Sequence, residues 1–257
     1  MKEFSRRLFS LFGYKISKIP RFENAFGRQF CLNFKESSTV RNLLFSYCYL
    51  QSEDFFFIQI GANDGVMDDP LYNFIQRYKL SGIAVEPIDD YYQELKKTYG
   101  TNDNIITVKK AIHPHKDKQI IYRLRKDHPF HQYYHGVGSF NLDHLLKFKD
   151  PRQTPKEWLI PNIEAYILEE EVECITFERL ISDYNVKKID LLQIDTEGFD
   201  FEIIKMVDFG VVKPQLIRYE VVNLKKEDVL SSVNHLIGHG YKIFDEGPDV
   251  IASTMEL

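Results

Sequence analysis

The sequence is short of cysteine: Cys31, Cys48 and Cys174 are far apart and fit neither a CxxC nor a mixed Cys/His spacing. That argues against a disulfide framework or a thiolate zinc site, and for a reducing, cytoplasmic setting. Long apolar runs are missing too, and nothing approaches the ~20 residues that span a bilayer. A basic excess is lacking: the net charge is −5 over 257 residues, which disfavours a general nucleic-acid binder. Repeats and low-complexity tracts are absent, leaving one large domain or one domain with an appended arm. Tryptophan occurs once, yet 14% of residues are aromatic, mostly Phe and Tyr. Such a content suits a thick core, or flat faces that stack on sugars and bases.

What is present is organised around Phe55–Gly65. An apolar run, Phe55 to Ile60, stops at Gly61-Ala62-Asn63-Asp64-Gly65, a pattern that predicts a buried strand and a tight turn. Asp68 or Asp69 as cap, Pro70 as first helical residue, and Leu71, Phe74, Ile75 and Tyr78 at helical spacing predict a helix next. By itself the turn fits an ordinary strand–helix connection as well as a ligand cradle.

The same reading along the chain predicts strands at Gly82–Pro87, Ile105–Ala111, Ile189–Ile194 and Leu216–Glu220, separated by helices. One of these, after Cys174-Ile175, is capped by Thr176. Two short strands near Tyr241–Phe244 and Val250–Ser253 close the chain. Alternation of this kind implies an α/β fold with a doubly wound, mostly parallel sheet. Residues 1–54 read as a helical N-terminal arm or cap, including a helix at Thr39–Leu50 with Val40, Leu43, Leu44, Tyr47 and Leu50 on one face. Residues 55–257 form the main domain. Met1–Lys18 is basic and amphipathic, suited to packing on its own domain or to touching a membrane surface or partner. Residues 118–170 break the alternation and read as a long irregular insertion, either an acceptor-recognition loop or a solvated excursion.

In a doubly wound sheet, ligands sit beyond the carboxyl ends of the strands. The candidates there are Gly61–Gly65, Glu86, Asp195 with Glu197, and Glu220. Glu86 follows the glycine turn by the ~20 residues expected of a ribose-binding acid. The diphosphate fingerprint G-x-G-x-x-G wants a third glycine that is missing, so S-adenosylmethionine ranks above a nicotinamide dinucleotide. Asp195 is the first candidate for general base or acceptor orienter and Glu197 the second; helix capping and first-turn placement are the bland readings of each. Five histidines fall between His113 and His135. His131 and His135 would share a helical face, but no H-E-x-x-H carboxylate accompanies them and no metal is expected.

Ile60-Gly61-Ala62-Asn63-Asp64-Gly65, Val85-Glu86-Pro87, Gln193-Ile194-Asp195-Thr196-Glu197-Gly198 and the Glu220 strand end, in this order, resemble the FkbM family of S-adenosylmethionine-dependent methyltransferases. The resemblance spans about Phe55 to Ser253. It implies a class I methyltransferase fold with a seven-stranded sheet ending in an antiparallel hairpin, and O-methylation of a sugar, glycan or small metabolite. By the same resemblance Gly61, Ala62, Asn63 and Gly65 line the methionine end, Glu86 holds the ribose and Asp195 lies beside the sulfonium. Asp64, Pro87 and Ala111 complete the expected cofactor set. Gln59 stands where an acid is frequent, Gln193 where Lys is frequent, and His113 where a small residue is frequent. The alternatives are an NAD(P)-dependent oxidoreductase and a non-catalytic nucleoside-binding module. A homo-oligomer is left open.

Overall fold

The computed structural model describes residues 37–131 and 134–255. The Met1–Lys18 segment, the extended stretch expected at Phe26–Leu32, and Cys31 lie outside these. Seven strands form the main sheet: β1 (Phe56–Ile60), β2 (Ser81–Val85), β3 (Ile105–Val108), β8 (Leu191–Ile194), β9 (Leu216–Glu220), β10 (Lys242–Asp245) and β11 (Asp249–Ser253). Their order is β10-β11-β9-β8-β1-β2-β3. All neighbours are parallel except β11, which is antiparallel to both β9 and β10. This is the class I methyltransferase sheet with its final hairpin, as expected.

β1 sits at the centre because both its faces are apolar. Ile58 and Ile60 pack into one core cluster and Phe57 into the other. A strand covered on both faces reads as a continuous apolar run, the sequence signature that marked it. The switch point lies between β1 and β8, where the chain crosses from one half of the sheet to the other, so ligands are expected above Ile60 and Ile194.

Helix α1 (Ser37–Gln51) lies on the Phe57 side. Its buried stripe is Leu44, Phe45 and Cys48, whereas Leu50, expected on the inner face, is 76% exposed. The stripe is rotated because Phe45 and Cys48, not Tyr47 and Leu50, fill the space beside Phe55 and Phe57. Helix α2 (Tyr72–Tyr78) starts later than predicted. Asp69, one of the two caps foreseen, instead turns inward: its Oδ1 accepts from Leu71 N–H at 2.8 Å and from Gln193 Nε2 at 3.5 Å. Helix α3 (Asp89–Tyr99) carries acids in its first turn and lysines in its last, the arrangement that complements the helix dipole.

The third predicted strand divides. β3 stays in the main sheet, while β4 (Ala111–Ile112) leaves it to begin a second sheet. The insertion is ordered rather than irregular. β5 (Lys118–Leu124) runs antiparallel to β7 (Ile167–Ile175) through seven residue pairs, and β6 (Gly138–Ser139) borders β5. Helix α4 (Leu142–Leu146) and three short 3-10 turns fill the excursion. Leu124, Tyr134, Val137, Leu145, Phe148, Ile160 and Ile163 give it an apolar core of its own. Its aromatics and scattered aliphatics concealed that core, because the short elements carry too few residues to display a period.

Helix α5 (Phe177–Asp183) is capped as predicted, Thr176 Oγ1 accepting from Arg179 N–H at 3.1 Å. Helix α6 (Asp200–Lys205) is shorter than expected and ends before Gly210. The last helix, α7 (Lys226–Gly238), buries Val233 and Leu236 against the sheet.

Candidate active site

A cavity of about 210 Å³ opens above the carboxyl ends of β1, β2, β8 and β9. Its floor is the turn after β1. Val85 O accepts from both Gly61 N–H and Ala62 N–H at 3.0 Å, which folds the chain sharply over β2. Gly61 has φ +80°, and a Cβ there would lie 1.8 Å from the carbonyl oxygen of Asp195. No other residue fits this crossing of two backbones. Asn63, at φ +48°, follows in the left-handed region.

Glu86, 5% exposed, stands at the end of β2. Its Oε2 accepts from Asn63 N–H at 3.0 Å and its Oε1 from Ile88 N–H at 2.8 Å. Burial pushes this carboxyl up to about 7, against the pull of the two N–H donors. Each oxygen keeps a lone pair for a further donor, as a ribose-binding acid requires.

Of the sequence-predicted site residues, Gly61, Ala62, Asn63, Glu86, Pro87, Ala111, Asp195 and Glu197 line the cavity together. Asp64 and Gly65 do not. Asp64 Oδ1 accepts from Val66 and Met67 N–H at 2.8 Å, so this side chain builds the turn. Gly65 faces the helix behind, where an added Cβ would meet Tyr99 at 2.6 Å and Leu95 at 2.9 Å. His135 lines the cavity, but it and His131 are not on a common helix. No group of described His, Cys, Asp or Glu residues is arranged to hold a metal ion.

Asp195 and Glu197 are on the turn that follows β8. Asp195 is not a helix cap, because α6 begins at Asp200, whose Oδ2 takes the Thr196 hydroxyl at 2.9 Å. The Asp195 side chain is solvent-exposed only in the sense that it faces this cavity. Protein surrounds that opening, and this burial, with the charges of Glu197 and Asp200 beside it, raises the Asp195 carboxyl well above the usual carboxylate range. Burial and the same group of carboxylates, Glu197 and Asp195 foremost, raise Glu220. The two titrate as a coupled set rather than singly.

Glu197 precedes α6 rather than sitting in its first turn, at φ +52°, and its carbonyl oxygen accepts from the Ser139 hydroxyl at 2.9 Å. A left-handed non-glycine residue costs about 1–2 kcal/mol. The insertion therefore holds this turn in a conformation the local sequence would not choose. Five left-handed residues, Gly61, Asn63, Asp68, Gly136 and Glu197, ring the cavity. Gly136, from the insertion, comes so close to Asn63 that a Cβ would lie 2.1 Å from its Nδ2, and its N–H donates to the Tyr91 hydroxyl at 2.7 Å.

Behind Glu197 lie groups that sequence reading missed. Asn223 Nδ2 donates to Glu197 Oε2 at 2.8 Å and to Glu220 Oε2 at 2.6 Å. Lys147 Nζ donates to Asn223 Oδ1 at 2.5 Å, and His144 Nε2 lies 2.8 Å from Glu197 Oε2. That oxygen is off the ring N–H direction, so the histidine contact is an electrostatic one rather than a formed hydrogen bond. Only the apolar positions around His144 and Lys147 carry a pattern, and it gives no sign of a partner some fifty to eighty residues away.

Four buried polar atoms without partners also belong to residues of the cavity wall: Gln59 Oε1, Asn63 Oδ1, Asp69 Oδ2 and Gln193 Oε1. Gln59 and Gln193 are direct neighbours in the β1–β8 register. An acid and a lysine at these positions would pair with each other; two amides leave their carbonyl oxygens available to a bound donor.

The sequence profile described as "Methyltransferase FkbM domain" matches residues 59–243. Among solved structures, the methyltransferase FkbM from Methylobacillus flagellatus is 13% identical, with a TM-score of 0.45, over 78% of this chain and 43% of that one. The N-terminal domain of human METTL16 in complex with SAH is 13% identical, with a TM-score of 0.42, over 98% of this chain and 82% of that one. A search of curated proteins finds no match.

Proposed function

Since the chain belongs to the FkbM family and is an S-adenosylmethionine-dependent methyltransferase, we propose that it methylates a hydroxyl of a sugar, glycan or related small metabolite. The observation that carries the cofactor half is the charge of the cavity wall. Asp68, Asp69, Glu86, Asp195, Glu197 and Glu220 line it, against a single lysine, Lys110. Such a wall repels the diphosphate of a nicotinamide dinucleotide and favours a ligand bearing sulfonium and ammonium charges. The orphaned acceptors Gln59, Asn63, Asp69 and Gln193 fit the same ligand, since an ammonium only donates.

Bound there, S-adenosylmethionine supplies an electrophilic methyl group on a positively charged sulfur. Glu86 would accept from the ribose hydroxyls, and Gly61, Ala62 and Asn63 would lie against the methionine end. Ile88, Ile112 and Phe140 offer apolar surface for a flat ring. Asp195 and Glu197 face the reaction space. One of them accepts the proton released from the acceptor hydroxyl as its oxygen takes up the methyl group, and solvent then removes that proton. A base adds about 10²–10⁴-fold, whereas orientation of the acceptor contributes ~7–11 kcal/mol. The insertion is therefore as important as the base. His135 and Phe140 bring it to the cavity wall, and Trp158 stands edge-on to His131 with ring centroids 5.4 Å apart, a surface of the kind that stacks on sugars.

Thermal shift decides the cofactor. S-adenosylhomocysteine at ~100 times its dissociation constant should add ~2.7 kcal/mol of stability. A midpoint raised by NAD and unmoved by S-adenosylhomocysteine would overturn the reading. The acceptor is then sought by transfer of labelled methyl to glycans and hydroxylated metabolites; incorporation at nitrogen or carbon alone would refute O-methylation.

A further inference from the structure

His144, Lys147 and Asn223 are outside the cavity wall, yet they converge on Glu197 and Glu220, which belong to it. The Asn223 amide is fully used, with both carboxylates on its nitrogen and Lys147 on its oxygen. A lysine ammonium can only donate, so Lys147 fixes which way round this amide lies. The same ammonium is 3.4 Å from His144 Nδ1. Facing a donor, Nδ1 is the acceptor nitrogen, which assigns the proton of the neutral ring to Nε2, on the side of Glu197. One cation thus orients two neutral side chains, and both present N–H to Glu197. Glu220 receives one N–H from the amide and none from the histidine.

Resting on the reading of the preceding subsection, we propose that Lys147, acting through Asn223 and His144, is a positioning residue that keeps Glu197 the unprotonated member and Glu220 the proton-bearing member of this pair. Glu197, rather than Asp195, is then the group that receives the acceptor's proton. The charged groups that bear on it are Asp195 and Asp200 from its own turn, Glu220 from the end of β9, and His144 and Lys147 from the insertion. Of these, Lys147 is the fixed cation, and it belongs to the 3-10 turn at Lys147–Lys149. The insertion therefore acts on the chemistry as well as on access to it.

The test needs no acceptor. Glutamate carboxyls of the full chain are labelled with ¹³C, the Glu197 and Glu220 resonances are assigned with Glu197→Gln and Glu220→Gln, and both are titrated by NMR. In the unsubstituted protein Glu197 should lose its proton at lower pH than Glu220. In Lys147→Met the midpoint of Glu197 should rise by one pH unit or more, and in Lys147→Arg it should return to within half a unit. His144→Gln should move it in the same direction as Lys147→Met, by less. A purely structural lysine would lower the melting temperature and leave the order of titration untouched. The inference falls if Glu197 is unmoved in a folded Lys147→Met or His144→Gln protein, or if Glu220 ionises first. S-adenosylhomocysteine binding, measured by calorimetry on the unsubstituted protein, reports separately on the cofactor reading.

Discussion

The carbonyl oxygen of Asp195 occupies the position a side chain on Gly61 would need: the two backbones approach so closely that a Cβ would sit 1.8 Å away. Neither partner can yield, since Gly61 N–H is tied to Val85 O and Asp195 N–H to Ile60 O. Gly61→Ala should therefore cost at least about 3 kcal/mol and lower the melting temperature by roughly 6 °C or more. Calorimetry should find S-adenosylhomocysteine binding weakened at least tenfold. An alanine variant with unchanged stability and affinity would mean that the two turns separate freely.

Glu86 makes a pH prediction whose sign is opposite to that of most carboxylates. Its folded-state value, about 7, lies above the ordinary 4.5, so between those limits the folded protein holds a proton that the unfolded chain has released. Stability without ligand falls as pH rises through this window. At ~1.4 kcal/mol per pH unit the contribution amounts to roughly 3 kcal/mol. Glu86→Gln loses one N–H partner at every pH but should also lose this slope. The gap between the melting temperatures of the two proteins should narrow, or reverse, by roughly 6–10 °C from pH 4.5 to 7.5. Parallel curves would show that another group carries the proton.

Asp195→Asn should separate stability from binding. Burial and the charges of Glu197 and Asp200 raise the Asp195 carboxyl, so an isosteric amide relieves repulsion at neutral pH. The ligand-free protein should melt a few degrees higher, while S-adenosylmethionine binds ~10-fold more weakly and the uncharged S-adenosylhomocysteine loses less. Equal losses for both ligands would show that Asp195 does not sense the sulfonium charge.

Beneath the cavity, Arg218 on β9 binds Glu246 at 3.3 Å and Asp249 at 2.5 Å, and all three are buried. Arg218→Ala strands two carboxylates that burial already raises. The expected cost near pH 7.5 is about 3–5 kcal/mol. Part of it should return on acidification towards pH 5, because protonation neutralises the stranded pair. Urea denaturation at the two pH values measures this, and an acid-insensitive loss would assign it to packing instead.

The sheet was legible in the sequence because its strands are buried on both faces and read as short apolar runs between glycine turns. Phe55 to Gly65 shows this most clearly, since its strand and its turn both stand where expected. Glu86 was legible by its distance from Gly65. Asp64 and Gly65 were assigned to the cofactor by motif, but the first closes the turn and the second makes room for Tyr99, two structural needs the motif does not distinguish. The insertion was hidden for a different reason: its core is assembled from isolated residues such as Tyr134, Leu145 and Ile160, and its contacts with Glu197 and Asn63 cross long separations. Partners like Lys147 and Asn223 have no local signature, because each polar atom is satisfied by a residue from another element.

Five left-handed residues surround one cavity, which means that its contour is recorded in main-chain torsions more than in side-chain identity. A peptide backbone held in this way keeps its form when the groups projecting from it are exchanged. Natural variation at Gln59, Gln193 or Phe140 can then retune what the hollow accepts without redrawing it, and a library randomised at those three positions, with the five torsional anchors left alone, should retain a high proportion of folded members.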